Sequence, residues 1–204
     1  MDNKDSLEAI IRRIYPLPKD SMMKFIALVE EHDYPKGHIL YRQHEQASKI
    51  YIVKRGLVRA YAYRGKKPIT FWFGQAGDFA FPIKSVFDGG KEYASIDLLE
   101  PSEVYEIEIE HLLGLYQTDI HIANWGRRYA ELACITAENL LIDQQFKTTS
   151  ERYQELLINH PDIILRVPMG IIASYLGTTQ VIFGEIKRDM PQGMNACPPT
   201  STCR

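Results

Sequence analysis

The chain has 204 residues, 45% of them hydrophobic and 25% charged, with a formal net charge of −2, which suits one or two globular domains with room for a core. That balance excludes a uniformly basic polyanion binder, so any nucleic-acid contact must come from local charge. No uninterrupted apolar run would span a bilayer, and the stretch Met1–Asp20 mixes acids and bases through its apolar positions, so neither a membrane span nor a signal peptide is expected and a cytoplasmic location follows.

In chain order, residues from Ser6 to about Glu31 read as helical. In "LEAIIRRI" the residues Leu7, Ile10, Ile11 and Ile14 share one face before "YPLP" breaks the pattern. A second helix, "SMMKFIALVEEH", carries Phe25, Leu28 and Val29 at helical spacing, with Asp20 or Ser21 as its cap. The period then switches to short β-branched and aromatic runs: "GHILYRQ", "KIYIVKRG", "LVRAYAYRG", "PITFWFG", "EYASIDLLE" and "SEVYEIEIE". Glycines punctuate these runs at close intervals, which predicts a small antiparallel sandwich or barrel. In "EVYEIEIE" the residues Val104, Tyr105, Ile107 and Ile109 stand against Glu103, Glu106, Glu108 and Glu110, and the strand is expected to be half-buried with an acidic outer face.

A single long helix is predicted from about Ile120 to Phe146. One stripe runs through Trp125, Tyr129, Leu132, Ile135 and Asn139, and a second, of small residues, through Gly126, Ala130, Ala133 and Ala137. Two usable faces suit packing on the chain's own β-domain and on a second copy. Trp125, Tyr129, Leu132, Ala133 and Ala137 are the candidate dimer-helix residues; a helix buried within a monomer is the other reading. The three cysteines, Cys134, Cys197 and Cys203, have no disulfide, zinc or iron–sulfur spacing, and Cys134 is expected to be a buried structural residue.

"TTSERYQELLINH" opens another helix, with Thr148 and Glu151 spaced as a capping box and a stop before Pro161. Pro168 is placed as the first residue of the next helix. From Val167 to Met190 the sequence "VPMGIIASYLGTTQVIFGEIKRDM" reads as two helices around a tight turn. Ala173 is small where the helices approach, and Gly177 supplies a left-handed cap. Ile172, Leu176, Phe183 and Ile186 close an apolar interface, and Thr178 or Thr179 caps the second helix. A helix-turn-helix needs these constraints, though spacing alone also fits an αα-hairpin without a ligand. The tail 191–204, rich in Pro, Ser and Thr, is expected to be disordered.

The order of parts resembles the Crp/Fnr superfamily of bacterial transcription regulators, whose type member is the cyclic-AMP receptor protein. The likeness runs from about Leu28 to Met190. It is carried by "GLVRAYAYRGKKPITFWFGQAGDFAF", by "ERYQELLINHPDIILRVPMGIIASYLGTT" and by the long helix between them. The last stretch is most similar to the short, wingless members common in the Bacteroidetes group. The resemblance implies an α+β fold: N-terminal helices and an antiparallel β-roll of the cyclic-nucleotide-binding type over 1–120, a dimerisation helix over 121–147, and a DNA-binding helix-turn-helix over 148–190. It also implies a homodimer, a small-molecule effector in the β-roll, and promoter DNA with an inverted repeat as partner.

Two departures bear on that expectation. In members that bind cyclic nucleotides, a glutamate opening a short helix holds the ribose and a following arginine holds the cyclic phosphate. Here Phe81-Pro82-Ile83 stands at the first place and Glu92-Tyr93-Ala94 at the second. A carboxylate in place of a guanidinium turns attraction to phosphate into repulsion worth several kcal/mol, which argues against cyclic AMP. Phe71, Phe73, Phe79, Phe81 and Tyr93 complete the candidate cassette, as ordinary core or as the wall of a small-molecule pocket. His38, His44, His111 and His121 show no diagnostic haem spacing, and no metal or cofactor is expected. The second departure lies in the reading helix, whose candidate DNA contacts are Thr178, Thr179, Gln180, Glu185, Lys187 and Arg188. From Glu151 to Met190 the bases are Arg152, Arg166, Lys187 and Arg188, against Glu151, Glu155, Asp162, Glu185 and Asp189. Modest affinity, a shallow salt slope and a leaning to A/T are expected.

The function expected is a dimeric, ligand-responsive DNA-binding regulator that does not use cyclic AMP. The alternative is a degenerate dimeric sensor or protein-interaction module that no longer reads DNA. No Ser–His–acid order, metal spacing or phosphate loop stands out, so an enzyme is not expected.

Overall fold

The computed structural model describes residues 6–189, and the tail 191–204 lies outside them. The chain divides into two compact units between Ala137 and Glu138. In the first, α1 (Leu7–Ile14) begins where Ser6 Oγ accepts the Ala9 N–H at 3.2 Å. The second helix, α2, spans only Lys19–Ile26 and starts from Pro18, without a side-chain cap. Ser21 is buried instead, donating to Asp119, and "EEH" belongs to a strand. That strand, β1 (Glu30–Tyr34), pairs antiparallel with β8 (Ser102–Glu108), so the hydrogen bonds of a sheet edge override a helical pattern that local propensity favours.

The intervening elements are β2 (Ile39–Tyr41), β3 (Lys49–Arg55), β4 (Val58–Arg64), β5 (Lys67–Gly74), β6 (Phe79–Ala80), the short helix α3 (Ile83–Asp88) and β7 (Ser95–Leu98). With β1 and β8, these strands form two four-stranded antiparallel sheets, ordered β1-β8-β3-β6 and β2-β7-β4-β5. Between the sheets lies one core, with Tyr51, Val53, Val58, Ala60, Ile96, Leu98 and Val104. A second core packs the helices onto the first sheet through Ile50, Ile52 and Ile107. Strand β3 therefore buries alternate residues into two different cores, which is why "KIYIV" is nearly continuously apolar.

β8 corrects the expected acidic face. Val104 and Glu106 share one side of the strand, and Glu106 is only 2% exposed. Its carboxylate accepts from Tyr34 Oη and Lys49 Nζ, each at 2.6 Å. Burial raises the Glu106 pKa, but the hydrogen bonds from Lys49 and Tyr34 and the Lys49 charge outweigh it, holding the group below its ordinary value. The strand also ends earlier than expected: Ile109 and Glu110 open α4 (Ile109–Thr118).

α5 runs from Ile120 to Phe146, as the spacing predicts. Asp119 precedes it and accepts the N–H groups of His121 and Ile122, along with Ser21 Oγ and Lys24 Nζ. Trp125, 1% exposed, donates Nε1–H to the Ile11 carbonyl and packs edge-on against Phe25, with centroids 4.9 Å apart. Cys134 is exposed, not buried: it lies beyond the part of α5 that covers the second core.

The second unit contains α6 (Thr149–Asn159), α7 (Pro161–Arg166), α8 (Met169–Tyr175) and α9 (Gln180–Asp189). Thr148 and Glu151 form the expected reciprocal capping box. Pro161 opens α7, a short helix that residue spacing alone does not announce. Pro168 is the N-cap of α8 and not its first residue. Tyr153, Ile172, Ala173, Leu176 and Phe183 are buried, with the Phe183 ring perpendicular to that of Tyr153.

Candidate functional site

The cassette residues part company in the structure. Phe79 and Phe81 are core: their rings lie 5.2 and 4.6 Å from that of Tyr129, and Phe79 also packs on Trp125. Phe71 and Tyr93 stack with centroids 6.1 Å apart, and Tyr93 is about half exposed. Phe73 lies on β5 opposite Arg59 and is partly buried. Pro82 is buried at the start of α3, Ile83 is exposed, and Ala94 is buried.

Glu92 is 3% exposed, a burial that its charge, wrong for phosphate, does not foretell. Its Oε1 accepts the Ser85 N–H at 2.7 Å and the Ser85 hydroxyl at 2.8 Å. Pro82 offers α3 no side-chain cap, so Glu92 satisfies a first-turn donor from outside the helix. The signal present in the sequence is a helix start with proline where Ser, Thr, Asp or Asn would normally stand. Ser85 Oγ also accepts the Ala47 N–H at 2.9 Å. The Glu92 backbone pairs with the neighbouring loop, accepting from His44 N–H at 2.7 Å and donating to the Glu45 carbonyl at 2.9 Å. Nearby Tyr41 has its phenol pKa raised well above normal, by burial first and then by the Glu92 charge.

On α5, Trp125 and Tyr129 serve their own unit's core, while Leu132 and Ala133 are partly exposed and Ala137 is exposed. Ile135, Leu141, Ile142 and Phe146 are exposed large apolar residues on the same helix. Ile135 and Ile142 lie seven residues apart, on one side of it.

The α8–α9 turn has the geometry its spacing predicts. Gly177 has φ +70°, the Thr178 N–H donates to the Ala173 carbonyl at 2.9 Å, and the Gly177 N–H donates to that of Ser174 at 3.1 Å. This is a Schellman cap, which a left-handed glycine closes at least cost. Thr179, rather than Thr178, caps α9: its Oγ1 accepts the Ile182 N–H at 3.3 Å. Thr179, Gln180, Glu185, Lys187 and Arg188 are exposed and Thr178 is partly so. Val181 is 73% exposed, and Ile182 is exposed beside it. Two of the four bases counted in the sequence have other partners. Arg152 donates to the Leu176 carbonyl under the turn, and Arg166 pairs with Asp162 at 2.8 Å. Among the described residues, no three of His, Cys, Asp and Glu converge as a metal site, and no helix is long and apolar enough to cross a membrane.

The profile of the cyclic nucleotide-binding domain family matches residues 31–119, which hold both sheets from β1 onward. No curated protein sequence matches the chain. Among solved structures, it is similar to a candidate transcriptional regulator of the Crp/Fnr family from Eubacterium rectale, with TM-score 0.70 and 17% identity over 86% of each chain. It is similar to FixK2 from Bradyrhizobium japonicum, with TM-score 0.67 and 20% identity over 78% of this chain and 83% of that one. It is similar also to the c-di-GMP-responsive global regulator CLP of Xanthomonas campestris, with TM-score 0.64 and 17% identity over 84% of this chain and 90% of that one. Residues 31–119 thus match the cyclic nucleotide-binding domain, within a chain that has the fold of the solved Crp/Fnr regulators.

Proposed function

We propose that this chain is a cytoplasmic, homodimeric DNA-binding transcription regulator of the Crp/Fnr type, whose β-roll answers to an effector other than cyclic AMP. In this reading, residues 1–120 sense, 121–147 dimerise and 148–190 read promoter DNA bearing an inverted repeat. The carrying observation is the α8–α9 pair: a Schellman turn at Gly177, a buried Ala173 at the close approach, and a second helix with Thr179, Gln180, Glu185, Lys187 and Arg188 outward. These features support a helix-turn-helix, in which the first turns of the second helix address base edges. Gln180 suits adenine, and Thr179 or Val181 suits a thymine methyl. With Arg152 and Arg166 engaged inside their own unit, Lys187 and Arg188 are the phosphate contacts, so affinity is modest and weakly salt-dependent.

The exposed Val181 and Ile182 favour a second reading, in which the same face meets a protein and DNA reading is lost. Selection of bound fragments from sheared genomic DNA at low salt tests the two, using the full chain beside Glu185→Arg. The regulator reading predicts enrichment of an inverted repeat, with tighter binding by Glu185→Arg and a salt slope steeper by about 0.9 for each new phosphate contact. No enrichment with either protein would discard it in favour of the protein-facing module.

A further inference from the structure

Glu92 is the one acid of the cassette and is buried, and an isolated carboxylate in such a place is costly unless hydrogen-bonded. Both donors of Ser85 converge on one of its oxygens, at 2.7 and 2.8 Å. The same Ser85 hydroxyl lies 3.2 Å from the Gly90 carbonyl and accepts from Ala47, while the Glu92 backbone is paired to residues 44 and 45. The Glu92–Ser85 pair therefore joins three segments: the start of α3, the turn before β7, and the loop after β2, the last through Ser85 Oγ and the Glu92 backbone. It does so with a charge-assisted hydrogen bond to a helix-start amide, the strongest ordinary class of such bonds. Any incoming anion at this corner would meet donors already engaged and a carboxylate at close range.

We propose that Glu92 is a specificity-determining residue of the β-roll: its carboxylate is the resident anion of the α3 corner, holds that corner ordered without an effector, and excludes phosphate-bearing ligands from it. The inference deepens the reading of the β-roll as the sensor half and says which ligands that sensor refuses. An effector of this roll is therefore neutral or cationic where it meets α3, and the roll's order does not depend on it.

The test uses the full-length chain, Glu92→Gln and Glu92→Ala. Thermal melts are followed by tryptophan fluorescence, since Trp72 and Trp125 are the two tryptophans of the chain and both lie in the first unit. Each protein is melted alone, with millimolar cyclic AMP or cyclic GMP, and with acetate against chloride at equal ionic strength. Exchange of the Ser85 amide is read in parallel. In the unmodified chain, neither cyclic nucleotide moves the melt and the Ser85 amide is protected without ligand. In Glu92→Ala, that protection is lost and the melt falls by roughly 5 °C. Acetate, but not chloride, restores part of the fall. Glu92→Gln keeps an acceptor oxygen and is expected to keep Ser85 protected with a smaller fall, and it carries the comparison if the alanine variant does not fold. A rise of several degrees in the unmodified chain with either cyclic nucleotide would overturn the proposal. So would an unprotected Ser85 amide in that chain, or variants that match it in every readout. No DNA enters these measurements, so their outcome stands apart from whether the chain reads DNA.

Discussion

Removing the Glu106 carboxylate should cost the first unit a large share of its stability, and the cost should depend on pH in a defined direction. The carboxylate is almost fully buried and takes hydrogen bonds from Tyr34 and Lys49 at 2.6 Å, with His32 at 3.8 Å. Hydrogen bonds to a charged group contribute about 1.5–3 kcal/mol each. The Lys49 side chain is 32% exposed and rehydrates in part when its partner goes, so Glu106→Ala is expected to cost about 3 kcal/mol and Glu106→Gln about 2 kcal/mol. At about 2–4 °C per kcal/mol for a chain of this size, the alanine variant should melt roughly 6–12 °C lower. Urea and thermal melts followed by tryptophan fluorescence measure this in the first unit alone. The sign with pH follows from the lowered folded pKa of Glu106. A depressed carboxylate contributes stability that is fully present above its unfolded pKa of about 4.3, and that is lost as pH falls through the folded value. The gap between the unmodified chain and Glu106→Gln should therefore be full at pH 7 and shrink below the unfolded pKa. Equal stability at pH 7, or a gap that stays constant down to pH 3, would contradict this account of the buried carboxylate.

Two further outcomes test other parts of the chain. Gly177→Ala should destabilise the second unit by about 1 kcal/mol, because the backbone is left-handed there while the nearest atom to an added Cβ, on Arg152, stands at 3.4 Å; amide exchange in α8 and α9 reads the loss, and Gly177→Asn should lose less. Ile142→Glu places a charge among the exposed apolar residues of α5, and sedimentation should show half the mass of the unmodified chain if that face pairs two copies.

The parts legible in the sequence are those whose signal is local. The capping box at Thr148 and Glu151, the left-handed turn at Gly177 and the span of α5 are set by the chemistry of neighbouring residues, and each stands where the spacing places it. Most of the strands follow from β-branched runs between turns, for the same reason. What depends on residues far apart in the chain was settled by the fold. "EEH" is a strand because β8 is there to pair with it. Glu106 is buried because Tyr34 and Lys49, brought from β1 and β3, supply the hydrogen bonds that a lone acid would lack. Trp125 belongs to its own unit because Phe25 and Ile11 arrive from the N-terminal helices. Glu92 shows the division most plainly: its place in the sequence declares its charge, and only the fold, by setting Ser85 against it, determines what that charge holds.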